Sequence, residues 1–132
     1  MITTVIGLLD ATRAYLTQFD VPAPWSVTVN AYLDEPNVTL QITCREPTEL
    51  AAALLAWADT LTAVTAEAWR VPDGNSVHLS ITGRLPCGEP LRIYGAVPVT
   101  EHGIGTDLAP DTATTIPLVA LRHLATPGQA AI

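Results

Sequence analysis

The amino-acid sequence predicts an α+β domain with two layers, in which helices cover one face of a five-stranded antiparallel sheet. Three observations support this prediction. A helical apolar pattern occupies residues 45–62, two stretches with period-two alternation precede it, and three such stretches follow it. The length of 132 residues suits one domain. We expect this domain to span residues 1–125 and residues 126–132 to form a flexible tail.

The first predicted element is a helix over residues 3–19. Its apolar residues recur at helical spacing, and Thr3 or Thr4 can cap its start. Pro22 and Pro24 end the helix, because each proline disfavours helical geometry in the residue before it. The chain is then expected to enter its first strand.

The first two strands form a predicted hairpin over residues 25–44. Residues 34–37, Asp-Glu-Pro-Asn, have the composition of a turn. On either side of this turn, apolar and polar residues alternate, which predicts one buried face. The residues expected to point into the core are Val27, Val29, Ala31, Leu33, Val38, Leu40, Ile42 and Cys44.

The central helix is predicted over residues 45–62. Pro47 suits the first helical turn, and Glu46 and Glu49 place negative charge at the positive end of the helix dipole. Large apolar residues then recur at helical spacing, which is typical of a helix packed on a core. They are Leu50, Leu54, Trp57 and Leu61.

Three more strands are predicted after the central helix, over residues 64–71, 76–85 and 91–97. The residues expected to face the core are Ala66, Ala68, Val77, Leu79, Ile81, Leu85, Leu91, Ile93 and Val97. Residues 101–110 are predicted to form a loop, and residues 112–115 connect it to a short helix. Pro117 suits the first turn of that helix, which ends near Ala125.

The resulting succession of elements, α-ββ-α-βββ-α, resembles that of profilin-like and roadblock-type domains. The resemblance concerns topology only and implies a sheet with the strand order 2-1-5-4-3. Small acidic secretion chaperones have a related succession but usually place three strands before the central helix. An adaptor or chaperone-like role is the corresponding functional expectation, by analogy of topology alone.

Charge and composition exclude several kinds of function. A formal charge of −7 and a pI near 4.6 argue against nucleic acids and anionic membranes as partners. All six basic residues are arginine, so neither a Schiff-base lysine nor a phosphate-loop lysine exists. Two cysteines cannot form a zinc site alone. We therefore predict no cofactor and no metal ion. The N-terminal residues lack the pattern of a signal peptide, which indicates a cytoplasmic protein.

The polar face of the predicted sheet is the main candidate surface for binding. Large aromatic and basic residues alternate outward there among many threonines. They are Tyr32, Trp69, His78, Arg84, Arg92 and Tyr94. Tryptophan, tyrosine and arginine are enriched in binding hot spots, so we interpret this set as a protein-interaction surface. The alternative interpretation is a solvated sheet face, on which threonine is also common.

Two other places could carry chemistry. His102 and Asp107 flank flexible glycines in a predicted loop and could form a small site, although an ordinary turn-rich loop is the favoured interpretation. Cys87 lies in a predicted turn, where an exposed thiol could serve in redox or metal sensing. No catalytic motif accompanies either place.

The leading hypothesis is a non-enzymatic protein-interaction module that binds a protein partner or, as a homodimer, a second copy of itself. The alternative is a small-molecule-binding protein or an enzyme with a pocket between the helices and the sheet. In that alternative, Tyr15, Trp25 or Trp57 would line the cavity. A cavity with convergent polar groups would favour the alternative, and a closed core would favour the interaction module.

Overall fold

The computed structural model of the chain describes residues 4–31, 36–44, 46–86, 88–99 and 105–125. Three helices and six strands form among these residues. In chain order they are α1 (Val5–Gln18), β1 (Ser26–Asn30), β2 (Asn37–Gln41), α2 (Pro47–Ala58), β3 (Thr62–Arg70), β4 (Ser76–Arg84), β5 (Pro90–Pro98), β6 (Thr112–Ile116) and α3 (Leu118–Ala125). None of these helices is long and apolar enough to cross a membrane.

The six strands form one sheet with the order β1-β2-β5-β4-β3-β6. The β2–β5 pair is parallel, and the other neighbours are antiparallel. The α+β class is therefore confirmed. The predicted sheet of five antiparallel strands in the order 2-1-5-4-3 differs in detail, because β1 and β2 exchange places, one pair is parallel and a sixth strand is present.

The position of β2 follows from its connection to α2. Each antiparallel pairing reverses strand direction between β5 and β3, so β2 and β3 run the same way. α2 is therefore the crossover of a split βαβ unit, and the β4–β5 hairpin fills the space between β2 and β3. This arrangement places β2 beside β5 and leaves β1 at the edge.

The sixth strand occupies the other edge of the sheet, beside β3. Residues 112–115 are all exposed, so no apolar alternation marks this strand in the sequence. Threonine favours strands, but without alternation the sequence predicts this segment only as a connection. The predicted connection before α3 is thus a paired strand.

The core lies between one sheet face and the helices. In the ladder, Leu40 faces Ile93, Ile93 faces Ile81, and Ile81 faces Ala66, so the apolar residues of four strands share one face. α2 covers this face closely, since a Cβ at Gly95 would lie 2.5 Å from Cδ1 of Leu50. The fully buried residues also include Leu8 of α1, Trp57 of α2 and Leu121 of α3. We call the opposite face, which no described helix covers, the open face.

Candidate interaction surface

The strand register places four of the predicted surface residues on the open face. Trp69 of β3 pairs with His78 of β4, while Tyr94 and Arg92 of β5 pair with Ser80 and Thr82 of β4. Residues at alternate positions of a strand share a face, so these side chains point away from the helices. All four are half-buried, although no described helix packs on them.

These four side chains and Asp111 form a continuous line of contacts, which we call the Arg–Asp line. The guanidinium carbon of Arg92 lies 4.7 Å from the ring centroid of Tyr94. The ring of Tyr94 stacks on His78 at 5.4 Å, and the ring of His78 meets Trp69 edge-on at 5.1 Å. Trp69 Nε1 donates a hydrogen bond of 3.3 Å to Oδ1 of Asp111. The line therefore has a cation at one end, an anion at the other and aromatic rings between them.

The aromatic part of the line is held in place by the sheet beneath it. The hydroxyl of Tyr94 donates a hydrogen bond of 3.0 Å to Oε1 of Gln41 on β2. Ser80, which is opposite Tyr94 in the ladder, is only 4% exposed although it belongs to the open face. The rings thus cover the strand below them and present a pre-organised surface.

Asp111 is positioned by Arg70 at the end of β3. The guanidinium of Arg70 donates hydrogen bonds to the carbonyl oxygens of Gly74, Thr106 and Leu108. The backbone N–H of Asp111 donates to the carbonyl oxygen of Arg70 at 2.8 Å. Asp111 has a φ of 60°, a left-handed conformation that aspartate tolerates better than most residues. These contacts fix the turn that brings the carboxylate beside Trp69.

The electrostatic surroundings of His78 favour its neutral form. Burial between Trp69 and Tyr94 lowers the pKa of the imidazole below its ordinary value of 6.5, and the positive charge of Arg92 lowers it further. The ring is therefore uncharged at neutral pH. A neutral imidazole suits the stacked contact with Tyr94 and the edge-on contact with Trp69.

A shallow depression of about 250 Å³ lies next to the Arg92 end of the line, and we call it the β2–β5 depression. Its described lining is Asn37, Val38, Thr39, Thr82, Pro90, Leu91 and Arg92. Thr39 and Thr82 flank Arg92 in the ladder, so the depression is lined by two hydroxyl-bearing residues and one guanidinium. None of these lining residues is acidic.

The remaining predicted site residues are not part of the line. Arg84 lies on the open face, but its Nη1 donates to the carbonyl oxygen of Gly88 at 2.8 Å and holds the β4–β5 turn. Asp107 is exposed in the segment before β6. Tyr32 and His102 lie outside the described residues, as does Cys87. Across the described part of the chain, no group of three histidine, cysteine, aspartate or glutamate residues could hold a metal ion.

Three residues that support the surface have no signal in the sequence, namely Asp111, Arg70 and Gln41. Each reaches its partner across a long stretch of chain: Asp111 contacts a tryptophan 42 positions away, and Gln41 a tyrosine 53 positions away. The identity of these pairs depends on the strand order. No local pattern could have found them.

The aromatic residues expected to line an internal cavity are packed differently. Tyr15 and Trp57 are 2% and 0% exposed and stack with ring centroids 5.5 Å apart. The hydroxyl of Tyr15 is hydrogen-bonded to Oγ1 of Thr60, and burial raises the pKa of Tyr15 to about 12. Trp57 Nε1 donates to the carbonyl oxygen of Pro22, whereas Trp25 is 66% exposed.

Comparison with family models, with curated proteins and with solved structures finds no match for this chain.

Proposed function

We propose that this chain is a non-enzymatic protein-interaction module, of adaptor or chaperone-like type, that forms a homodimer through its open face. The observation that supports this proposal is the Arg–Asp line. It joins a cation, three aromatic rings and an anion by direct contacts on a sheet face that no described helix covers.

The residue types on this line are those that bind protein surfaces well. Tryptophan, tyrosine and arginine dominate binding hot spots, because they offer large contact areas with few rotatable bonds. Here Tyr94 is also anchored by Gln41, so little further ordering is needed when a partner binds. A face with only solvated threonines would lack both features.

The distribution of charge on the line favours a second copy as the partner. A two-fold axis that lies between two facing copies and passes beside His78 reverses the direction of the line. Arg92 of one copy then lies near Asp111 of the other, and Tyr94 lies near Trp69. The line is therefore complementary to itself, and the interface would be isologous.

A small-molecule-binding protein or an enzyme is the alternative function, and the packing of the core gives it less support. Tyr15 and Trp57 fill the space between helices and sheet with stacked rings. A depression of about 160 Å³ lies between α1 and residues 85–86, and another of about 380 Å³ lies along the flank of α1 alone. Neither combines enclosure with convergent polar groups, which a ligand pocket needs. A cytoplasmic location remains a prediction from the sequence.

Sedimentation equilibrium of the purified chain over a concentration series tests the proposal. We expect a monomer–dimer equilibrium in which Trp69→Ala raises the dissociation constant by about tenfold or more, because a central aromatic anchor is lost. Trp25→Ala is the matched control, since Trp25 is exposed but lies away from the line, before β1. It should leave the dissociation constant unchanged.

Two results would contradict the proposal. A wild-type chain that remains monomeric at high concentration would refute the homodimer. A dimer weakened by Trp25→Ala and unaffected by Trp69→Ala would move the interface to the β1 edge and away from the open face. Thermal unfolding of both variants shows whether any loss of association reflects loss of folding.

A further inference from the structure

We infer that the β2–β5 depression is a carboxylate-binding site, and that in the dimer it receives the side chain of Asp111 from the second copy. This inference rests on the proposed homodimer and identifies the contact that sets its geometry. Arg92 would be the primary ligand of the carboxylate.

The Arg92 guanidinium is prepared for such a ligand. Its carbon lies 4.7 Å from the centroid of the Tyr94 ring, a cation–π contact that holds the group at this place and uses none of its five N–H donors as a conventional hydrogen bond. Within the described residues, no salt bridge or hydrogen bond occupies this guanidinium, and the acidic residues of the open face lie elsewhere. Arginine binds carboxylates through two parallel N–H···O bonds.

The rest of the depression also suits an anion. Thr39 and Thr82 stand on either side of Arg92 in the ladder, and their hydroxyl groups can donate hydrogen bonds to a carboxylate oxygen. The volume of about 250 Å³ holds a short acidic side chain and leaves no space for a large ligand. The protein as a whole carries a formal charge of −7, whereas Arg92 is the charged residue in the described lining of the depression and is positive.

Asp111 has the properties required of the incoming group. Its side chain is exposed, and its backbone is fixed by the hydrogen bond to Arg70 and by the turn that Arg70 organises. Its hydrogen bond from Trp69 Nε1 is long at 3.3 Å, and contacts with the described residues leave several acceptor positions of the carboxylate available. The carboxylate is thus held at the far end of the line and still able to bind a guanidinium.

Two-fold symmetry doubles the contact. Each copy contributes one β2–β5 depression and one Asp111, so the dimer contains two identical Arg92–Asp111 pairs on opposite sides of the axis. The aromatic rings between them would exclude water from the centre of the interface, as the surroundings of a hot spot do. The charged pairs would fix the register of the two faces.

A charge-swap experiment tests this inference directly. Arg92→Asp and Asp111→Arg should each raise the dissociation constant of the dimer at least about tenfold, because like charges then meet twice in the interface. An equimolar mixture of the two variants should form a heterodimer with a dissociation constant within about threefold of wild type, since both contacts are again attractive. The mixture also keeps the summed formal charge of a wild-type pair.

The controls carry the same charge changes at exposed positions outside the line. They are Arg13→Asp on α1 and Asp107→Arg in the segment before β6. At about 0.15 M salt, where long-range repulsion between the copies is screened, neither variant should lose more than about twofold in affinity, and mixing them should produce no preferential heterodimer. The double variant Arg92→Asp/Asp111→Arg should form a homodimer, because it contains the reversed pair within one sequence.

The outcomes separate this inference from the proposed function. Failure of the wild-type chain to dimerise refutes the proposed function itself. A dimer that depends on Trp69 but is not restored by mixing the swap variants overturns only the Arg92–Asp111 contact. A third outcome is that the swaps leave the dimer intact while N-acetylaspartate shifts the NMR signal of the Arg92 Nε–H group. The depression would then bind a carboxylate of another molecule, and the assignment of Asp111 from the second copy would be wrong.

Discussion

His78 occupies the centre of the Arg–Asp line, and its protonation state controls the charge there. Trp69 of β3 and Tyr94 of β5 face it directly, Arg92 of β5 acts on it electrostatically, and Glu67 lies two residues from Trp69 along β3. In the proposed dimer, His78 also lies near His78 of the second copy. Two charged imidazolium rings would repel each other at this place, so the neutral form favours association.

Removing the positive charge of Arg92 should raise the pKa of His78. Arg92 is one of the two causes that lower this pKa, the other being burial. We expect Arg92→Gln to move the pKa upward, towards 6.5, without reaching it, because burial still acts. An NMR titration of the His78 Cε1–H signal measures the change. Arg84→Gln is the control, since Arg84 holds the β4–β5 turn and is not a cause of the shift.

The same shift fixes the direction of the pH dependence of folding. The pKa of His78 is lower in the folded chain than the ordinary value of 6.5, so the unfolded chain binds the proton first as pH falls. Stability from this residue is complete above pH 6.5 and decreases below it until the folded pKa is passed. This decrease should be smaller in Arg92→Gln than in wild type. An equal decrease in both proteins would exclude the electrostatic effect of Arg92.

At the residue scale, the sequence predicted the aromatic and basic members of the line because strand parity alone places them outward. Trp69, His78, Arg92 and Tyr94 were identified in this way, and the structure brings them together. Asp111 could not be identified, since its role depends on which strand lies beside β3. Side chains that meet through sheet topology leave no local signal.

The segment from residue 105 to residue 111 is an element without regular structure, and a single arginine organises it. Arg70 donates to carbonyl oxygens at two positions of the segment, Thr106 and Leu108, and to Gly74 in the β3–β4 turn. Its backbone carbonyl accepts from Asp111. Hydrogen bonds from a charged group to backbone carbonyls are stronger than neutral ones. The placement of Asp111 and the start of β6 therefore depend on this guanidinium.

Arg70→Met should destabilise the fold and loosen this segment. Methionine retains much of the apolar stem but leaves three carbonyl oxygens without their donor, and we expect a loss of about 1–3 kcal/mol in the free energy of unfolding. Urea unfolding measures the loss, and hydrogen exchange at the amides of Leu108 and Asp111 should accelerate. The dimer should also weaken, because the carboxylate of Asp111 is no longer fixed.

The control for this prediction is Arg13→Met, which removes a guanidinium from an exposed position of α1. It should change the free energy of unfolding by no more than about 0.5 kcal/mol. If Arg70→Met has an equally small effect and leaves the exchange rates unchanged, Arg70 does not organise the segment.

At the element scale, the sequence predicted helices and inner strands well because each has a buried face with a clear period. The parity of β2, β4 and β5 agrees with their burial, and the described residues 118–125 form the short helix predicted after Pro117. The two edge strands caused the differences. Residues 112–115 of β6 are exposed and show no alternation, and the sequences of β1 and β2 alternate in similar ways, so only the path of α2 decides which of them lies inside.

For the whole molecule, net charge opposes the proposed dimer. Each copy carries a formal charge of −7, and two such charges separated by roughly 25 Å in water repel with about 8 kcal/mol before screening. The Debye length falls from about 30 Å at 0.01 M salt to about 8 Å at 0.15 M, so most of this repulsion disappears over that range. The Arg92–Asp111 contacts act over a few ångströms and are screened far less.

Association should therefore become tighter as salt is added at low ionic strength. Between 10 and 150 mM NaCl we expect the dissociation constant to fall by at least about tenfold, because the loss of long-range repulsion exceeds the weakening of the local pairs. Sedimentation equilibrium at fixed pH measures this change. Asp107→Arg is an informative control, because it raises the charge of each copy by two units from −7 and so roughly halves the repulsion. Its affinity should respond less to salt than that of wild type. If the wild-type dimer weakens steadily over the same range, the local charge pairs dominate the interface. The expectation that long-range repulsion between the copies outweighs those pairs would then be wrong.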